Sequence, residues 1–320
     1  MSLDALYDDW DLERPEIPER SRLYCLRPVG IGTCQVESLS GYVARLAEAH
    51  DLSVGNLVGR EPFSNARSGL YKRTTCFRSR PKSHVFRAGD YDINGMCRKA
   101  CKWIGAFQEA THRQDLCRLT LLPIRKLISG MFLLRKRRAW CPACYHEDQK
   151  SGLVYERLLW AIKIVAVCPF HLRPLEEHCP FCNRQQPALA VSSRPGYCSA
   201  CGNWLGEPSS ATIPKWGNRA RNFRNELHQA SAVGEILATN SAAGSVSAAS
   251  FRRNLRICIT RLAAGNTAAF ARCTQISIST ISCWLGATIR PCLDTVMRMC
   301  AHLQISAATM LMNDCLVVLG

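Results

Sequence analysis

Cys141-Pro142-Ala143-Cys144, Cys168-Pro169-Phe170-His171, Cys179-Pro180-Phe181-Cys182 and Cys198-Ser199-Ala200-Cys201 fall within one stretch of the chain. Their spacing decides how its middle folds. Two intervening residues let a tight turn aim both end side chains at one point, about 2.3 Å from each sulfur when that point is zinc. The first two pairs offer three thiolates and one imidazole. The last two offer four thiolates in a C-x2-C-x15-C-x2-C pattern, which suits a zinc ribbon or treble clef. Two structural Zn²⁺ ions are therefore expected, one on Cys141, Cys144, Cys168 and His171 and one on Cys179, Cys182, Cys198 and Cys201. His146 and His178 stand beside these sets as alternative ligands.

Each set closes a tetrahedron from protein atoms alone, whereas catalytic zinc keeps an open position beside an acid or base. The sequence has no His-Glu-x-x-His and no H-x-E followed by P-C-x-x-C, the patterns of metalloproteases and nucleobase deaminases. A non-enzymatic protein is expected, and a zinc hydrolase or deaminase is the disfavoured reading. The chain has 19 cysteines. In a reducing compartment, paired cysteines at this spacing mean metal more often than disulfides. Cys97, Cys101, Cys117, Cys258, Cys273, Cys283, Cys292, Cys300 and Cys315 lack such pairing and read as small buried residues.

Outward from this region the chain is strongly basic. Its 320 residues carry a formal charge of +16, with a pI near 9.3. Two filled sites lower the charge by one and two units, to about +13, because thiolates outnumber the charge of each ion. A polyanion partner is expected, nucleic acid first and an anionic membrane surface second. Residues 60–140 hold 19 Lys and Arg against 5 Asp and Glu. The densest clusters are Arg78, Arg80 and Lys82, and then Arg135, Lys136, Arg137 and Arg138, which are read as phosphate contacts. Residues 1–20 form an acidic arm without an apolar signal core, and the longest apolar run, 158–167, includes Lys163. That is short of the roughly 20 residues a membrane span needs. A cytoplasmic, nucleoid-associated protein without membrane contact is expected.

Helical periodicity begins with Leu39, Tyr42, Val43, Leu46 and Ala47, with Ser38 or Ser40 as the cap. A short helix over Val54 to Val58 follows, and another is marked by Cys97, Cys101, Ile104 and Phe107. The segment Trp160–Val167 reads as a strand. Residues 205–220 read as a linker, Phe223, Leu227, Ile236 and Leu237 as a helix, and 239–250 as a connector. Residues 251–314 read as a repressor-type helix-turn-helix. Leu255, Ile259 and Leu262 mark its first helix and residues 268–271 its second. The recognition helix spans 277–285 with Ile278, Ile281 and Leu285 inward, and Ser277, Ser279, Thr280 and Ser282 are outward candidates for nucleic-acid contact. A last helix after Pro291 turns Leu293, Val296, Met297 and Cys300 inward. The recognition helix lacks the Arg, Asn and Gln that usually read bases, so protein docking is its other reading.

The expected architecture is mainly α with small zinc-bound β elements. It comprises an acidic arm (1–20), a basic helix-turn-helix-like N-terminal domain (21–137), a tandem zinc-ribbon or treble-clef domain (138–207), a linker with a possible helix (208–250) and a helix-turn-helix-like C-terminal domain (251–320).

The motifs in order resemble the TniQ/TnsD family of transposon target-selection proteins. The residues that carry this are Leu26-Arg27-Pro28, Glu37-Ser38-Leu39-Ser40-Gly41-Tyr42, Arg45-Leu46-Ala47, the four ligand pairs, Trp160, Leu175 and Gly202. The resemblance covers roughly residues 22–205. It implies an adaptor that couples target DNA or a CRISPR effector ribonucleoprotein to an AAA+ ATPase of the TnsC/TniB type, in some relatives as a homodimer. The alternative is a zinc-containing helix-turn-helix transcriptional regulator.

Overall fold

The computed structural model describes residues 20–60, 90–206, 220–239 and 248–312. Arg78, Arg80 and Lys82, the acidic arm and Cys315 lie outside the described residues. The first helix, α1 (Leu39–Ala49), starts where Ser38 turns extended and its Oγ accepts the Gly41 N–H at 3.1 Å. This satisfies one of the N–H groups that a helix start leaves without a partner. All five periodic positions are buried. The buried surface extends to Gly41, where an added Cβ would stand 2.8 Å from the Glu156 Cβ. The start of α1 therefore presses directly on the chain that leads into the ligand region. Ser38 N–H donates to the Glu156 carbonyl at 2.7 Å and Leu158 N–H to the Val36 carbonyl at 2.8 Å, stitching the two segments together.

Two more helices complete the N-terminal part, α2 (Val54–Arg60) and α3 (Arg98–Thr111). Asn94, at the end of a 3₁₀ turn, accepts the Ser40 N–H and donates to the Ser40 hydroxyl, both at 2.9 Å, so that turn is pinned to α1. The buried face of α3 is Ala100, Trp103, Ile104, Phe107 and Ala110. Cys101, expected inside, is exposed. The bulk of Trp103 sets the inward face, which turns Cys101 away.

The middle region adds α4 (Pro142–Ser151) and a two-stranded antiparallel pair, β1 (Val167–Cys168) with β2 (Arg173–Pro174). Trp160–Val167 is not a strand. Its first residues close a 3₁₀ turn, Leu158–Ala161, Ile162 forms a single antiparallel bridge with Leu134, and Val167 enters the β1–β2 ladder. That bridge answers part of its backbone: Lys163 N–H donates to the Leu133 carbonyl and Arg135 N–H to the Ala161 carbonyl. A single bridge satisfies those groups without a regular partner strand.

The C-terminal part consists of α5 (Ala220–Thr239), α6 (Ala248–Ala263), α7 (Thr267–Thr274), α8 (Ile278–Leu285), α9 (Leu293–Leu303) and α10 (Ala307–Met312). The α5 helix lies against β1, the 3₁₀ turn and α10, with Ala230, Val233, Ile236 and Leu237 buried. It joins the ligand region to the terminal bundle. Buried Asn254 of α6 donates to the Thr309 and Met310 carbonyls of α10 at 3.1 Å. The α7–turn–α8 pair has the expected helix-turn-helix order, and Asn266 and Ser277 cap the two helices. Three inward assignments change, and Cys273, read as buried, is one of them, being exposed. Leu262 is exposed, because the buried stripe of α6 runs through Phe251, Leu255, Cys258 and Ile259. Ile278 is also exposed, because Trp284 takes the core position with Ile281 and packs edge-on against Phe251 at 5.6 Å. Val296, Met297 and Cys300 of α9 are buried as expected, with Leu293.

One continuous buried cluster runs from Leu23 to Leu311. No helix among the described residues is long and apolar enough to cross a membrane.

Two glycines on different faces predict opposite responses. Gly41→Ala places a methyl against the buried Glu156 side chain and should lower stability by about 1–2 kcal/mol despite better helix propensity. Gly105→Ala meets nothing within 4 Å and should raise stability by about 0.5–1 kcal/mol. Urea denaturation of both variants tests this; changes of the same sign would contradict the packing described for α1.

Candidate metal centre

Each ligand pair sits on a local structure that aims its sulfurs. Cys141 is the residue before α4 and Cys144 lies in that helix's first turn, with Pro142 supplying a preset φ at the first helical position. The other three pairs share one turn. Val167 faces Pro174, His178 faces Gln185 and Tyr197 faces Trp204 across antiparallel bridges. Each bridge encloses a ligand pair at the same register. The residue after each pair, Leu172, Asn183 or Gly202, takes a left-handed φ of 49°, 54° or 74°. Glycine and asparagine suit that conformation; Leu172 adopts it at some strain. The first centre therefore combines a helix start with one such hairpin, and the second combines two hairpins. Reciprocal bonds between Trp140 and Glu176 bring the halves of the first centre together.

The resulting distances suit a tetrahedral ion. Cys144 Sγ and Cys168 Sγ are 3.6 Å apart, and His171 Nδ1 lies 3.7, 3.2 and 3.6 Å from the sulfurs of Cys141, Cys144 and Cys168. In the second centre, Cys179–Cys201 and Cys182–Cys198 are both 3.7 Å apart. A tetrahedron with bonds of about 2.3 Å has sulfur–sulfur edges of about 3.8 Å. A disulfide requires about 2.05 Å, and all these cysteines are free. Among the described residues these are the two His, Cys, Asp and Glu groups able to hold a metal, with ligand atoms within 4.8 Å of one another. His146 and His178 belong to neither group.

The electrostatics also call for a cation. Hydrogen bonds with Cys141 and Cys168, together with burial, hold the Cys144 thiol far above its ordinary pKa. Hydrogen bonds from Cys141 and Cys144 push Cys168 down to about 2. Unaided, thiolates packed this closely repel one another and cannot all ionise. A bound dication lets all of them ionise. In the second centre, the backbone and side-chain N–H groups of Asn203 push exposed Cys201 down to about 6, the side-chain amide standing 3.4 Å from the sulfur.

A residue the sequence reading did not single out completes the first centre. Glu147 of α4 places Oε1 2.9 Å from His171 Nε2. A proton held on Nε2 leaves Nδ1 free to face the sulfurs, the usual way a carboxylate fixes a ligating histidine. The signal was present: Glu147 follows Cys144 by three residues, on the same helix face. Buried ion pairs brace the rest. Arg157 donates both guanidinium nitrogens to Asp148 at 2.8 and 2.9 Å, and Arg45 pairs with fully buried Glu37 at 2.8 Å.

The basic cluster at 135–138 divides. Arg138 is buried, pairs with Glu156 at 3.2 Å and donates to the Tyr145 hydroxyl at 2.7 Å. It braces the core and is not placed to meet a phosphate. Arg135 is mostly covered, bonded to Glu177 and to the Val165 carbonyl. Lys136 and Arg137 are exposed. Of the α8 candidates, Ser277, Ser279 and Ser282 are exposed and Thr280 is half-buried. Ser277 Oγ is committed to its cap, accepting the Thr280 N–H at 3.2 Å.

Glu147→Ala should keep the fold and weaken metal retention in the first centre by about 10- to 100-fold. Cys182→Ser should unfold the second hairpin pair, because a structural ion held there would supply folding free energy. Competition with a chromophoric chelator and hydrogen exchange over 178–204 check both. Wild-type chelator competition in Glu147→Ala would remove its assigned role.

No curated protein matches the chain. The TniQ family model matches residues 28–175, from Pro28 before α1 through the first centre to Leu175. That family is associated with target selection in transposition, and residues 28–175 of this chain form a TniQ domain.

Proposed function

We propose that the protein is a non-enzymatic adaptor for transposition target selection, linking target DNA or a CRISPR effector ribonucleoprotein to an AAA+ ATPase of the TnsC/TniB type. The observation that carries this reading is the TniQ match, which spans α1 and the first ligand centre as one folded unit. Two structural zinc ions, one on each ligand set, hold the middle of the molecule in this reading. With four protein ligands each, they leave no coordination position for a substrate. The ions would supply folding energy and rigidity, and the protein's work would be binding.

The basic balance of the chain and exposed Lys136 and Arg137 favour nucleic acid on one side of the adaptor. The α7–turn–α8 pair favours a second reading, a zinc-containing transcriptional regulator, because Ser279 and Ser282 project from the candidate recognition helix. The two readings part over the ATPase.

Affinity-tagged protein should retain the ATPase encoded beside it, with retention increasing when target DNA or effector complex is added. Transposase and ATPase genes should neighbour its own. Failure to retain any such ATPase, together with tight binding to a single operator, would favour the regulator instead.

A further inference from the structure

A cleft of about 970 Å³ opens between the 3₁₀ turn before α3, the chain entering the ligand region and the C-terminal bundle. Arg125, Lys136, Arg137, Lys163 and Arg290 line it, and all five are exposed. No described carboxylate forms an ion pair with any of them. Arg135 also faces the cleft, but its guanidinium is taken up by Glu177. The cations come from distant parts of the sequence. They are held together partly because Arg290 donates to the Arg125 carbonyl and Ser129 N–H donates to the Pro291 carbonyl at 2.8 Å. Asp92 and Glu177 also line the cleft, so its six basic and two acidic side chains leave a net charge of about +4, which concentrates positive potential there.

Phe132 stands at the lip of this cleft. It is 78% exposed, the most of any large apolar side chain among the described residues. It also sits in the third position of the turn Gly130–Leu133 with φ of 55°, a conformation that turns normally assign to glycine or asparagine. The residue is thus both strained and solvated, and neither feature helps the fold. Strain of this kind concentrates where a side chain is needed for binding.

We propose that this cleft binds an unpaired nucleic-acid strand, its phosphates on the five cations and one base stacked on Phe132. The inference rests on the nucleic-acid side of the adaptor reading and specifies the form recognised. A duplex keeps its base faces stacked internally and presents phosphates on a convex cylinder. A single strand can enter a concave basic groove and lay a base face on an aromatic ring. Phe132 and Arg290 also line a neighbouring cleft of about 550 Å³ that includes Thr280 and Trp284. A strand leaving over Phe132 therefore passes the first turn of α8.

The test uses the full-length, metal-loaded protein and fluorescence anisotropy with labelled oligothymidine, oligouridine and a duplex, each about 15 units long. At least one strand should bind about tenfold or more tightly than the duplex, and the DNA and RNA arms identify the source of the strand. The triple variant Lys136→Gln/Arg137→Gln/Lys163→Gln should lose about 100-fold in strand affinity, and the slope of log affinity against log salt should fall by about 2, for three lost phosphate contacts. Phe132→Gly should lose about tenfold in strand affinity with an equal or higher Tm, because glycine relieves the strained backbone. Lys150→Gln/Arg272→Gln, outside the cleft, should bind as wild type does. Equal or tighter binding of duplex, no binding of either strand, or full strand affinity in the triple variant would each overturn the cleft assignment. ATPase retention by the triple variant is measured in parallel. If strand binding is absent but retention is intact, the cleft proposal fails and the adaptor reading stands; if the wild type retains no ATPase, the adaptor reading fails independently.

Discussion

Eight side chains converging on two points organise the centre of this molecule. The region around the second centre contains little regular structure, and much of the middle is turns and single bridges. A hydrophobic core alone gives such a chain few ways to hold its backbone. Four close ligands around each point would do so locally once an ion is bound, because metal–ligand geometry is short and directional where apolar packing is not. The repeated hairpin register at three of the four pairs follows from this constraint. Each turn must present two ligand atoms on the same side, and a bridge seven residues wide with one left-handed residue after the pair achieves that.

The metal region serves the rest of the fold as a platform. The start of α1 presses on Glu156, β1 lies against α5, and α5 carries the C-terminal bundle. Gly55 of α2 extends the same dependence to the second centre: its N–H donates to the Val191 carbonyl at 3.0 Å, and an added Cβ would stand 2.5 Å from the Val191 side chain. Buried ion pairs lock the seams. Breaking one partner of such a pair is costly because the remaining charge is stranded away from water. These seams tie the N-terminal helices and the first ligand set, which the TniQ family model matches together, into one buried cluster.

The sequence made some of this legible and hid the rest, for physical reasons. The ligand pairs were readable because coordination imposes a short, local spacing. The first helix was readable because Ser38 and the five apolar positions agree on one face. The fate of Arg138 was not, since its partner Glu156 lies far along the chain and a run of charge carries no information about burial. The inward face of α8 runs through Ile281 and Trp284 and leaves out Ile278, and periodicity alone could not choose between these neighbouring stripes. The run at 160–167 read as a strand because it is apolar and β-branched, but only Ile162, in a single bridge to Leu134, and Val167, in the short β1–β2 pair, enter β pairing. The cleft beside Phe132 was invisible for the same reason as Arg138: residues near 125, 136, 163 and 290 meet only after folding. Glu147 stood in view, but its role depends on where His171 comes to rest.

The claim beneath all of this is that two metal ions hold the middle of the chain together. Elemental analysis combined with zinc-edge X-ray absorption on pure, folded protein tests it most directly. The account predicts two zinc ions per chain, with seven sulfurs and one nitrogen shared between them at about 2.3 and 2.0 Å. Folded, monodisperse protein without bound metal, or with its paired cysteines joined as disulfides, would contradict it.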